Sequence, residues 1–187
     1  MSEHAFVPIE IELRDRRRVR LRAIRSDDKD EVRQAFARLS SESRYTRFMS
    51  TMKELSPHLL DRTVHLQTER EVGLVAETDA PDGIDIVGGA RYYIQPTDDS
   101  CCEFAVTVVD GWQGVGLASR LMRELIEAAR ERGLRRMEGF VLAGNTSMLD
   151  LARRLGFTVI TDPHDVTVKV VRLDLMAGIK APGSAAP

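Results

Sequence analysis

Near its start the chain places apolar residues at alternate positions. This alternation over residues 9–13 and 19–23, with a charged run between them, predicts a β-hairpin. Apolar residues then recur at helical spacing, and Ser26 and the pair Ser56-Pro57 supply helix starts. The spacing predicts three helices, over residues 26–39, 42–48 and 59–66.

From Glu71 onward, β-prone runs replace the helical spacing. Short polar turns near residues 80–83 and 98–99 separate three such runs, over residues 71–77, 84–94 and 101–109. Because strands joined by short turns run in opposite directions, these runs predict an antiparallel meander.

The clearest helical pattern follows the meander. Residues 113–132 carry Leu117, Leu121 and Leu125 on one stripe, and Gly133 stands where such a helix ends. A strand, a helix and two closing strands follow, over residues 136–142, 146–155, 157–160 and 166–173. We expect one domain over residues 1–177 and a disordered tail, rich in Ala, Pro and Gly, over residues 178–187.

Composition narrows the function. The 187 residues carry a net charge of -2, which argues against a nucleic-acid partner. The sequence has no apolar run of membrane-spanning length and no secretory-signal pattern at its start, so we expect a cytoplasmic protein without a membrane partner. The two cysteines are neighbours and the histidines lack ligand spacing, so no metal is expected.

The turn before the long helix carries candidate chemistry. Gly111, Gly114 and Gly116 cluster there, as glycines do where backbone takes positive φ or approaches a ligand closely. Free N–H groups and the positive end of the helix dipole favour an anion, so a phosphate fits, with a ligand-free tight turn as the alternative. The dinucleotide fingerprint is disfavoured because the preceding strand belongs to a meander, and a P-loop is disfavoured because the Gly-Lys-Ser/Thr triplet is missing.

Two blocks in order resemble a known family. The motif QxxGxA at 113–118, after a meander, and the motif NxxM at 145–148, leading into LGF at 155–157, resemble the GCN5-related N-acetyltransferase (GNAT) superfamily. The resemblance implies an α+β fold in three α/β/α layers, with a mixed, mostly antiparallel sheet flanked by helices. It further implies that the sheet splays between its fourth and fifth strands to hold acetyl-CoA or another acyl-CoA.

The same resemblance implies a cofactor site. The pantetheine arm would follow the strand backbone at 107–109, the pyrophosphate would lie on the turn at 113–118, and Asn145 would contact the cofactor from the other side. The implied cofactor-binding residues are Thr107, Val108, Val109, Gln113, Gly114, Val115, Gly116, Leu117, Ala118, Ser119, Asn145 and Met148.

Further segments resemble the acetyltransferase domain of bacterial Pat-type protein lysine acetyltransferases. They include LRAI at 21–24, LSxESxxxRF at 39–48, REV at 70–72 and EFAV at 103–106. This resemblance implies acetyl transfer to a protein lysine. A small-molecule amine as the acceptor, or a non-catalytic acyl-CoA-binding regulator, stays as an alternative, and we expect a monomer or a homodimer.

Glu103 is the candidate general base. A lysine with a pKa of about 10.4 is neutral in only about one of 2,500 molecules at pH 7, so a base must take its proton. Glu103 shares a strand face with Ala105 and Thr107, and the Pat-type resemblance puts the proposed catalytic glutamate at this position. It would act directly or through a water. The alternative is a solvated or salt-bridged surface glutamate.

The expected general acid is missing. Many members of the superfamily carry a tyrosine seven positions after the asparagine, where this chain has Ala152. Tyr92, Tyr93 and Cys102 are weak substitutes. Since the thiolate of coenzyme A has a thiol-like pKa of about 8.5, water is a sufficient proton source.

Overall fold

A single twisted sheet organises the molecule. The computed structural model describes residues 6–177, so the tail predicted over 178–187 lies outside the described residues. The strands are β1 Ile9–Glu12, β2 Arg18–Ala23, β3 Glu71–Ala80, β4 Gly83–Gln95, β5 Asp98–Val108, β6 Arg136–Leu142, β7 Thr158–Thr161 and β8 Val168–Asp174. They lie in the order β1-β2-β3-β4-β5-β6-β8-β7, and every neighbouring pair except β5 and β6 is antiparallel. The predicted hairpin, meander and mixed sheet are confirmed.

Helices cover both faces of the sheet. They are α1 Lys29–Ala37, α2 Ser41–Phe48, α3 Pro57–Val64, α4 Leu117–Glu131 and α5 Thr146–Arg154. In β5, Phe104 and Val108 belong to the apolar core beneath α4 and α5. The alternating residues Ala105 and Thr107 line a cavity beneath α1, α2 and α3. The predicted three-layer arrangement is therefore confirmed.

The first helix begins later than predicted. Residues Ser26–Asp28 form a 3-10 turn, and α1 starts only at Lys29. The cause is Asp28, whose buried carboxylate receives both ends of the Arg22 guanidinium fork at 2.7 Å and the backbone N–H of Arg25 at 2.7 Å. Glu77 completes this buried cluster by accepting from Arg22 Nε at 2.5 Å. A buried arginine with two carboxylate partners satisfies the rule that buried charges are paired.

The long helix also begins later than predicted. It starts at Leu117 instead of residue 113, and a 3-10 turn at Asp110–Trp112 precedes it. Gly114 and Gly116 adopt φ values of 76° and 97°, which an α-helix does not contain. The glycines therefore make a separate turn between β5 and α4.

The sheet opens between β5 and β6. Only Cys101–Glu103 of β5 pairs in parallel with Arg136–Glu138 of β6, and beyond these residues the two strands diverge. The next residue of β5 is Phe104, whose ring lies against Gly139 and packs edge-on against Phe157 at a centroid distance of 5.3 Å. The splay thus lies between the fifth and sixth strands, not the fourth and fifth, because the N-terminal hairpin contributes two strands to the sheet.

Candidate active site

The splay forms a groove of about 890 Å³ between β5, the glycine turn and α5. It brings together Glu103 and most of the predicted cofactor residues: Thr107, Val108, Gln113, Gly114, Gly116, Leu117, Ala118, Ser119, Asn145 and Met148. Two predicted residues lie elsewhere. Val109 lines the cavity beneath α1, α2 and α3, which we call the inner cavity, and donates its N–H to Val87 O. Val115 packs against the core.

The glycine turn presents unpaired donors to this groove. Within the described chain, no carbonyl or side chain accepts from the backbone N–H groups of residues 114–119, and the first helical bond of α4 begins at Arg120. At Gly116 an added Cβ would meet only Arg14, at 3.6 Å or more. The turn is therefore an open cluster of N–H donors at the positive end of a 15-residue helix, which suits an anion.

Gln113 shapes the turn from inside. Its side-chain amide donates to Val108 O at 3.1 Å, to Ser43 Oγ at 3.1 Å and to Asp110 Oδ1 at 3.2 Å. Its backbone N–H donates to Asp110 O at 3.2 Å. Since these groups are already engaged, Gln113 holds the turn in place and leaves the donors of residues 114–119 to face a ligand.

The open edge of β5 runs along the same groove. Residues 104–108 pair with β4 on one side, whereas on the groove side the pairing with β6 has already ended at Glu103. Apart from Val108 O, which accepts from Gln113, the strand therefore offers unpaired backbone N–H and C=O groups there, as sheet edges do. An extended amide-containing ligand can pair with such an edge.

Glu103 lies where β5 and β6 separate. It lines the groove, and its carboxylate accepts a short hydrogen bond from the Tyr93 hydroxyl on the neighbouring strand. Burial and this bond to Glu103 raise the pKa of Tyr93, so the phenol stays protonated and donates. The sequence placed Tyr93 only among weak proton donors, but it directly contacts the candidate base.

The other candidate acids are withdrawn from the groove. Ala152, which stands where many members of the superfamily have a tyrosine acid, carries no acidic group and is fully buried in the core. Tyr92 and Cys102 are also core residues, and burial raises the pKa of each to about 12. Of the three substitutes named from the sequence, Tyr93 alone shares the face of Glu103.

Asn145 begins α5 beside the groove. Its side-chain oxygen accepts from Met148 N and Ser147 Oγ, each at 3.1 Å, so it acts as the N-cap of the helix. In the described residues its Nδ2 group has no acceptor. One half of the amide therefore positions α5, and the other half is free for a ligand.

Arg14 is a groove residue that the sequence did not single out. The sequence showed it only as part of the charged run between the two strands of the predicted hairpin. In the fold, Arg14 donates its backbone N–H to Val115 O at 3.2 Å, and its side chain lies beside Gly116. It adds a positive charge next to the unpaired N–H cluster. The sequence does not reveal this position, because Val115, the residue that Arg14 contacts, is distant from it along the chain.

Arg47 on α2 separates the groove from the inner cavity. Its Nε donates to Thr107 Oγ1 at 2.9 Å, and it lines both spaces together with Phe48, Ala105 and Thr107. Burial and the nearby guanidinium of Arg91 lower the pKa of Arg47 to about 10, so it remains charged near neutral pH. The only indication of Arg47 in the sequence was that it belongs to the segment at 39–48 that resembles Pat-type domains.

Residues 6–177 contain no group of three or more His, Cys, Asp or Glu side chains arranged to hold a metal. Across the same residues, none of the helices combines the length and apolarity needed to cross a bilayer.

Comparison with known proteins assigns this architecture. A sequence model of the acetyltransferase (GNAT) family matches residues 31–157. Acetyltransferase PA5475 of Pseudomonas aeruginosa is 39% identical over 163 residues, covering 87% of this chain and 87% of that protein. The chain belongs to the GNAT family. It is an acyl-CoA-dependent N-acyltransferase, and its acyl donor is acetyl-CoA.

Within the GNAT family the chain is similar to Pat proteins. Acetyltransferase Pat of Mycolicibacterium smegmatis is 28% identical over 180 residues, which cover 91% of this chain and 50% of that protein. The crystal structure of the GNAT domain of S. lividans PAT superposes with a TM-score of 0.81 at 29% identity, covering 89% of this chain and 96% of that domain. The chain thus spans about half the length of the M. smegmatis Pat protein.

Proposed function

We propose that this GNAT protein transfers an acetyl group from acetyl-CoA to a primary amine, with Glu103 as the general base. The observation that carries the proposal is a single groove that is lined both by Glu103 and by the turn whose N–H groups at residues 114–119 are unpaired. Acetyl transfer from acetyl-CoA to an amine needs both features: N–H groups that hold the anionic phosphates of the donor, and a base that accepts the amine proton.

The groove fits acetyl-CoA in three ways. The N–H groups of residues 114–119 and the charge of Arg14 would hold the pyrophosphate. The open edge of β5 at 104–108 would hydrogen-bond the pantetheine amides. The free amide nitrogen of Asn145 would contact the donor from α5.

Glu103 and water account for the proton transfers. When bound, acetyl-CoA supplies a thioester whose carbonyl carbon is open to attack by a neutral amine. Glu103 takes the amine proton, and Tyr93 orients the carboxylate through its hydroxyl. Backbone N–H groups at the open edge of β5 stabilise the negative charge that develops on oxygen. Water protonates the departing thiolate, because Ala152 leaves no acid at the usual position.

Glu103→Gln tests the base assignment. In a coenzyme A release assay we expect kcat to fall by about 100- to 10,000-fold, the usual contribution of a general base. The affinity for acetyl-CoA, measured by calorimetry, should stay unchanged. Intact turnover in Glu103→Gln would remove the base assignment, and loss of acetyl-CoA binding would show a structural role instead.

Gly116→Glu tests the phosphate turn. The substitution places bulk and negative charge beside Arg14 at a φ of 97°, so binding of acetyl-CoA should be lost. Unchanged affinity, with the fold verified by circular dichroism, would contradict the assignment.

A lysine side chain of a protein is the acceptor that the Pat likeness supports. A small amine is the second candidate, and the apolar cavity beside Arg47 favours it. Incubation with labelled acetyl-CoA and a cell lysate separates the two, because the label enters either protein or small molecules. We further propose a single domain over residues 1–177 acting in the cytoplasm, where its two free, buried cysteines remain reduced.

A further inference from the structure

The inner cavity is an apolar chamber behind the active-site strand. It holds about 170 Å³ between β3, β4 and β5 on one side and α1, α2 and α3 on the other. Most of its lining is apolar, including Phe36, Leu39, Leu59, Leu66 and Ala90. An engineered apolar cavity of about 150 Å³ holds a benzene molecule, so this chamber has room for a branched aliphatic or aromatic side chain.

A positive charge stands at the mouth of this chamber. Among residues 6–177, no carboxylate lies within 4.0 Å of Arg47, and its terminal amino groups make no hydrogen bond. The neighbouring Arg91, by contrast, forms an ion pair with Glu71 at 3.1 Å. Arg47 is only partly exposed, and its guanidinium contacts the Thr107 hydroxyl and the Phe48 ring but no carboxylate. Because a confined cation gains from an opposite charge, this guanidinium between two cavities points to an anionic ligand.

The geometry points to an acceptor with three features, and we propose that it is a free amino acid with an apolar side chain. Its amine would face Glu103, its carboxylate would pair with Arg47, and its side chain would fill the inner cavity. This inference rests on the proposed acetyl transfer to a primary amine and names an acceptor for the same site. A carboxylate on the acyl group would also pair with Arg47, but it would leave the apolar chamber empty.

Matched acceptors test the assignment. We would measure coenzyme A release from acetyl-CoA with L-leucine and L-phenylalanine, with their amides, with glycine and with a lysine-containing peptide. The wild type should favour each acid over its amide by roughly 30-fold or more in kcat/KM, as expected for a buried charge pair. Leucine should exceed glycine by about tenfold or more because its side chain enters the cavity.

Variants then assign the preference to a residue. Arg47→Met should reduce the ratio of acid to amide to about one, while Arg123→Met should keep the wild-type ratio. Arg123 is a suitable control because it is an exposed arginine on α4, away from both cavities.

Several outcomes would overturn the inference. Equal rates for acid and amide would do so, as would an acid preference that survives in Arg47→Met. Selective loss of succinyl-CoA use in Arg47→Met, with no change between acid and amide, would assign the anion to the donor. Turnover of the peptide alone would remove the amino-acid acceptor but keep the proposed function. Release with no amine at all would remove both.

Discussion

Gly139→Ala is the sharpest test of how the sheet is held open. An added Cβ at this position would lie 2.5 Å, 2.7 Å and 3.0 Å from three ring atoms of Phe104. Phe104 is 6% exposed and its ring packs edge-on against Phe157, so an added methyl group would push the ring out of this packing toward the groove that it borders. Overpacking of this kind costs about 1–3 kcal/mol. For a chain of this size we expect Tm to fall by roughly 2–12 °C.

Thermal and urea denaturation of four variants decide the case. Gly111→Ala is the control, because its Cβ would meet no atom within 4 Å, and it should lie within about 0.5 kcal/mol of the wild type. Phe104→Leu provides the space that the added methyl group needs, so the double variant with Gly139→Ala should be more stable than the two single changes predict. We expect a coupling of about 0.5–3 kcal/mol. Additive effects, or a Gly139→Ala variant as stable as Gly111→Ala, would refute the wedge.

Three further predictions concern the groove. Arg14→Ala should weaken acetyl-CoA binding by about 3- to 10-fold in calorimetry at low salt, and the difference should shrink at about 1 M salt because exposed charges are screened. Burial opposes ionisation of Asp110, but hydrogen bonds from Ser43 and Ser40 outweigh it and lower the pKa of Asp110. The stability from this carboxylate is present above its unfolded pKa and is lost as pH falls through the folded value, so the Tm gap between wild type and Asp110→Asn should narrow from about pH 6 to about pH 3. Tyr93→Phe should lower kcat severalfold in the coenzyme A release assay and leave acetyl-CoA affinity unchanged, because the phenol orients the base and is not assigned to the donor.

Regular elements were predictable because their signals are local. The bounds of β6 are those predicted from the sequence, and the meander of β3, β4 and β5 followed from alternation broken by short polar turns. Ser56 caps α3 as predicted, accepting from Leu59 N at 3.2 Å. Each of these features depends on residues a few positions apart.

Features that depend on distant partners were missed or misplaced. The start of α1 shifted because Asp28 pairs with Arg22, which in turn binds Glu77 from another strand. Arg14 lies beside the glycine turn only because the hairpin packs there, far from that turn in sequence. Arg47 gained its place between two cavities from the packing of α2 on β5. No periodicity in a single sequence reports such contacts.

One short helix links the two ends of the proposed reaction. At its start, Ser40 N and Ser43 Oγ donate to Asp110 at 2.9 Å and 2.5 Å, which ties α2 to the turn before α4. Near its end, Arg47 donates to Thr107 at the inner cavity. We therefore expect an acyl donor bound at the turn also to steady the helix that carries Arg47. Coupling between two binding sites is reciprocal. We therefore expect an acceptor held at Arg47 to strengthen the binding of acetyl-CoA by the same factor by which acetyl-CoA strengthens the binding of the acceptor.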